Sequence, residues 1–85
     1  MKKQLESKIN KLADMIAEIE DMMNDIENKI DIINDKASNR ASGELTEKEE
    51  DKIEQLEEQK YQLEETREYL YQAQDQLQET LDSIE

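Results

Sequence analysis

Apolar residues recur along the first half of the chain at Leu5, Ile9, Leu12, Ile16, Ile19, Met23, Ile26, Ile30, Ile33 and Ala37, in steps that alternate four and three residues without a miss. Such spacing keeps one stripe of a helix facing a partner helix, the heptad seam of coiled coils. It predicts a helix over about 3–37. Met15 and Met22 stand immediately before Ile16 and Met23 and make the apolar face broader than a two-stranded seam requires. Ile32 lies off the stripe, as an ordinary exposed apolar residue or as a contact with a partner.

The text then changes. Residues 37–46 read Ala-Ser-Asn-Arg-Ala-Ser-Gly-Glu-Leu-Thr, the one stretch rich in Ser, Asn and Gly, and they predict a turn over about 38–45. Thr46-Glu-Lys-Glu49 has the spacing of a capping box, and the acids Glu47, Glu49, Glu50 and Asp51 sit where a helix N-terminus favours negative charge. A second helix is predicted over about 46–84. Its seam reads Ile53, Leu56, Lys60, Leu63, Arg67, Leu70, Gln74, Leu77, Leu81 and Ile84, with an apolar residue at alternate rungs and polar ones at Lys60, Arg67 and Gln74.

The two ladders are out of phase. Continued past Ala37, the first would place its seam on Arg40, Glu44, Glu47, Asp51 and Glu54. A continuous helix with one seam is therefore excluded, and the fold class expected is all-α: an antiparallel two-helix hairpin, coiled-coil-like, in one domain spanning 1–85. Antiparallel pairing across the turn brings Ile30 near Ile53, Met23 near Lys60, Ile16 near Arg67 and Ile9 near Gln74, with Lys60 and Arg67 reaching toward acids such as Asp14, Glu20 or Glu27. Two helices make a small core. Dimerisation into a four-helix bundle is the expected remedy, through Met15, Met22, Ile26, Tyr71 and Ala73; a monomeric hairpin is the alternative.

Composition narrows the chemistry. There is no Pro, Cys, His, Trp or Phe and a single Gly, so nothing interrupts either helix, and disulfides, Cys/His zinc sites and imidazole acid–base chemistry are excluded. The aspartates at 21, 25, 31 and 35 lie within a helical pattern, without the glycine and loop that an EF-hand needs. Exposed carboxylates without a pocket lack the means to tune one acid against another. No enzyme activity and no cofactor is expected. The lysine-rich start runs directly into an amphipathic pattern, so neither a signal peptide nor a membrane span is predicted and a cytoplasmic protein is expected.

Net charge is −13, unevenly spread: residues 1–11 carry four lysines and one glutamate, whereas residues 47–85 carry fourteen acids against four bases. The second arm's acids fall mainly off the seam. Together with two of its tyrosines they form the candidate partner-binding face, Glu54, Glu57, Glu58, Tyr61, Glu64, Glu65, Glu68, Tyr69 and Asp75. Carboxylates recurring every helical turn of about 5.4 Å approximate a line of phosphates and suit a basic protein surface. The same charge disfavours direct binding to nucleic acid. A solvated face that keeps a coiled coil soluble is the competing reading.

In style the chain, and most of all its ending from Asp51-Lys-Ile-Glu-Gln-Leu-Glu-Glu to Leu81-Asp-Ser-Ile-Glu85, resembles short acidic helical-hairpin proteins of phages and mobile elements of low-GC bacteria. That resemblance implies a small inhibitor or counter-defence protein occupying the basic site of a host nucleic-acid-handling protein. A structural or assembly role, as a scaffold or adaptor acting through the apolar face of the first helix, is the alternative. The secretion-associated WxG hairpins are of similar size, but the turn Arg40-Ala-Ser-Gly-Glu44 has no Trp.

Overall fold

With no proline and a sustained heptad pattern, each half of the chain forms one long helix. In the computed structural model, which describes residues 1–84, α1 spans Lys2–Ser38 and α2 spans Glu47–Ile84. They fold back on each other as an antiparallel hairpin. Helices of 37 and 38 residues are each roughly 55 Å long at 1.5 Å per residue, and the molecule measures 65 × 15 × 13 Å. Its radius of gyration of 19.1 Å far exceeds the ~12 Å expected of a globular chain this long. It is a rod.

Both seams lie between the helices. Ile16, Ile19, Met23, Ile26 and Ala37 of α1 and Leu56 and Leu81 of α2 are buried, and the remaining apolar rungs are half-buried except Ile84, which is exposed at the open end. Gln74 and Lys60 sit near their expected partners Ile9 and Met23, whereas Arg67 lies beside Met23 and Glu20 in place of Ile16. Gln74 Nε2 donates to the carbonyl of Ile9 at 3.4 Å, Lys60 Nζ pairs with Glu27 at 2.5 Å, and Lys60, Arg67 and Met23 line one notch. Lys60 keeps its methylene stem in the seam while its charge reaches the edge.

The turn is held by a helix end, a glycine, a capping box and an ion pair. α1 ends at Asn39, which is still right-handed at φ −84°, with its N–H on the Asp35 carbonyl, and the next amide, of Arg40, tightens back onto Ala37 at 3.1 Å. Reversal is completed at Gly43, whose φ of +67° would cost a residue with a side chain about 1 to 2 kcal/mol. The capping box forms as its spacing predicts: Glu49 N–H donates to Thr46 Oγ1 at 3.2 Å, and Thr46 N–H to Glu49 Oε1 at 2.9 Å. Arg40 adds what the capping pattern does not contain. Its guanidinium grips the Glu49 carboxylate through both terminal nitrogens, Nη2 lying 2.6 Å from Oε2, and Nη1 also reaches the Glu44 carbonyl. Arg40 and Glu49 fall on the next rungs of the two ladders, so the seam's last layer is ionic.

The hydrogen bond from Arg40, then that from the Thr46 amide, hold the Glu49 carboxyl down at about 2. A depressed carboxyl stabilises the fold fully above its unfolded value of 4.5, and this contribution is lost as pH falls from there through about 2. Over the same range, protonation relieves the repulsion within a chain of net charge −13 and acts in the opposite sense. The clean measurement is therefore a difference. The gap in melting temperature between wild type and Arg40→Ala, present at neutral pH, should close as pH falls through that window; a gap independent of pH would show that the clamp is not ionic.

Candidate functional site

Heptad positions sort every side chain by flank. With Ile9, Ile16, Met23 and Ile30 of α1 and Lys60, Arg67 and Gln74 of α2 at position a, and the intervening rungs at d, positions e, b and f follow the a side around each helix and g and c follow the d side. Contacts between the helices agree. Glu20, Met23, Asn24, Glu27, Lys60, Glu64 and Arg67 line a notch on the a/e flank, while Met22, Ile26, Gln59, Gln62, Leu63 and Thr66 line a groove on the d/g flank.

On this wheel the acids of α2 separate cleanly. After Glu49, every described acid of α2 lies at e, b or f: Glu50, Asp51, Glu54, Glu57, Glu58, Glu64, Glu65, Glu68, Asp75, Glu79 and Asp82. Positions c and g hold none. Of the expected partner-binding face, Glu54, Glu57, Glu58, Tyr61, Glu64, Glu65, Glu68 and Asp75 share the acidic flank and all are exposed. Tyr69 does not join them. It lies at c, 70 % exposed, in a row with Gln55, Gln62 and Gln76.

Tyr61 sits in the middle of the stripe. Glu65, one turn on, through hydrogen bonding and then its charge, together with Glu64, pushes the phenol above the usual tyrosine range. The ring itself is 60 % exposed among carboxylates. On the neighbouring edge the Lys60 ammonium is raised by its hydrogen bond to Glu27 and by the fields of Glu27, Glu64 and Glu57. Lys60 and Arg67 thus moderate the acidity next to the seam, and Glu54, Glu58, Glu65 and Glu68, at b and f, point outward with no ion pair among the described residues.

The expected self-association set is likewise divided. Met15, Met22, Ile26 and Ala73 share the d/g flank, Met15 and Met22 exposed, Ala73 half-buried and Ile26 buried in the groove that it lines with Met22. Tyr71 stands on the opposite flank at e, where its hydroxyl donates to Glu20 Oε1 at 3.2 Å across the hairpin. Grouping Tyr71 with Met15 and Met22 missed this. Counting four residues on from Arg67 places it beside the acids.

Chemically the flanks offer charge and contact area. Among the described residues no three carboxylates converge closely enough to hold a metal ion, no side-chain polar atom is buried without a partner, and no helix is long and apolar enough to cross a membrane. Comparison with known protein families, curated proteins and solved structures gave no match to this chain.

Proposed function

We propose that the protein is a non-catalytic binding module whose α2 presents its acidic flank to a basic surface of another protein, of the kind that handles nucleic acid. The observation that carries this is the segregation of charge. Solubility alone asks for acids spread around the exposed surface, whereas here they crowd e, b and f and leave c and g of the same helix empty. Between Glu50 and Glu68 eight acids line one side of the helix, roughly 27 Å at 1.5 Å per residue. That length and charge suit a groove shaped for a phosphate backbone. Tyr61 gives the stripe a rigid ring at its centre, the kind of residue that anchors protein interfaces. Inhibition by occupying the partner's nucleic-acid site fits the likeness to short acidic phage hairpins.

The test is selective capture. Protein partners retained from a bacterial lysate by the immobilised chain should be released by moderate salt and by added duplex DNA. The variant Glu57→Gln, Glu58→Gln, Glu64→Gln, Glu65→Gln, Glu68→Gln should bind them on the order of 10- to 100-fold more weakly. Equal retention by wild type and variant, unaffected by salt or DNA, would rule the reading out. An adaptor that works through its apolar side would behave in that second way.

A further inference from the structure

We propose that the d/g flank binds a second copy of this chain, two hairpins lying side by side as a four-helix bundle whose two-fold axis runs along the rod. The proposal uses the flank opposite the acidic one and meets the acidic stripe only along its f edge. Its first support is the quality of the d rung. Every d position from Leu5 to Ile33 and from Leu56 to Leu77 is Leu or Ile, whereas the a rung of α2 is broken by Lys60, Arg67 and Gln74. In a two-helix hairpin a and d are equivalent sides of one seam, and nothing asks for the difference. In a four-helix bundle the rung beside the new interface points to the common centre, and the other rung points to the outer edge of the seam. The hairpin alone leaves Leu5, Leu12, Ile33, Leu63, Leu70 and Leu77 of d only half-buried, as it does Ile9, Ile30 and Ile53 of a.

Charge identifies the occupant. A chain carrying −13 can approach its own copy only where acids are missing, and position g has none on either helix. A two-fold axis along the rod makes every neighbouring pair of helices antiparallel and sets α1 of one copy beside α2 of the other. Because Lys60 pairs with Glu27, residues keep their level across that interface. Met22, 51 % exposed, then faces Gln59 and Thr66 of the second copy, and Met15 faces Thr66 and Ala73, large side chains against smaller ones. Lys8, Lys29 and Lys36 come level with Glu79, Glu58 and Asp51 on the edge of the second copy's α2. An axis across the rod between the two methionines would oppose Lys8 to Lys29 instead. Both halves of the complement lie on one flank of one chain, as a closed two-fold pair requires.

Sedimentation equilibrium from micromolar to near-millimolar concentration is the first measurement. The wild type should have twice the chain mass of 10.1 kDa. Met22→Glu and Ala73→Glu, one on each helix, should fall to the monomer mass while circular dichroism shows the helices retained, and Tyr71→Glu on the opposite flank should remain a dimer. The chain has no cysteine, so the axis can be read by cross-linking. A mixture of Met22→Cys and Thr66→Cys chains should form a disulfide-linked pair faster than either variant alone. A wild type that stays monomeric, or a dimer mass unchanged in both glutamate variants, would overturn the proposal, and preferential self-linking of Met22→Cys would overturn the axis.

Discussion

Leu56→Ala is expected to remove about 2 to 4 kcal/mol of folding stability, the largest loss from shortening any one side chain of the rod. Leu56 is 3 % exposed, the most buried of the described residues, and it stands two rungs of its ladder in from Glu49. Truncation there withdraws three carbons from a core one side chain deep. Neighbouring residues in a rod 13 to 15 Å across can close only part of the gap. A two-helix chain this small has only about 5 kcal/mol or so to lose, so the variant should be substantially unfolded near physiological temperature. Urea titration followed at 222 nm should show the midpoint falling with an unchanged slope, at matched protein concentration. Ile32→Ala supplies the contrast: Ile32 is 55 % exposed, and its truncation should change stability by less than about 0.5 kcal/mol. A Leu56→Ala midpoint no lower than that of Ile32→Ala would refute the assignment of the core.

Why so much of this fold was legible in the sequence follows from how few forces build it. Regular 3.5-residue spacing leaves one solution for each arm, and every first-arm rung from Leu5 to Ala37 is buried or half-buried. The phase break and the Thr46–Glu49 box placed the turn to within a residue or two, with helix ends at Ser38 and Glu47 against the expected 37 and 46. Long-range pairing was legible in part: Gln74 reaches Ile9 as expected, whereas Lys60 pairs with Glu27 and Arg67 lies in a notch with Glu20 and Met23, about a turn along α1 from the expected Ile16. Contacts that depend on the reach of a long polar side chain were harder. Arg40 read as one more polar loop residue, although carrying both ladders one rung further pairs it with Glu49.

The candidate surfaces were legible as residue types and not as flanks. Tyr69 was expected on the acidic face and Tyr71 in the self-association set, and two steps of about 100° do put them on different sides of the helix, but on the other flanks. Tyr69 therefore stands with glutamines and Tyr71 with Glu20. Ile26 lines the same groove as Met22, yet it is buried and leaves the exposed contact to the methionine.

Replacing Lys60, Arg67 and Gln74 together by Leu should raise the melting temperature by about 10 °C or more. These three occupy the a rung opposite an otherwise apolar α1, where Lys60 is tied to Glu27 and Gln74 makes only a long bond to a backbone carbonyl. Each polar group gives up hydration to lie against the seam and recovers part of it. Leucine fills the same layer with nothing to satisfy. The gain in stability should come with a loss of specificity, because the polar rung is what distinguishes the a flank from the d flank. With leucine at all three positions both rungs of α2 become apolar, and only the acids at e, among them Glu20, Glu27, Glu57 and Glu64, still oppose pairing through a and e. Sedimentation should show species heavier than the wild type alongside the higher melting temperature. A triple variant that melts higher and keeps the wild-type mass at every concentration would mean that Lys60, Arg67 and Gln74 do not choose the flank. One that melts lower would mean that the Lys60–Glu27 pair contributes more to the hairpin than apolar packing can replace.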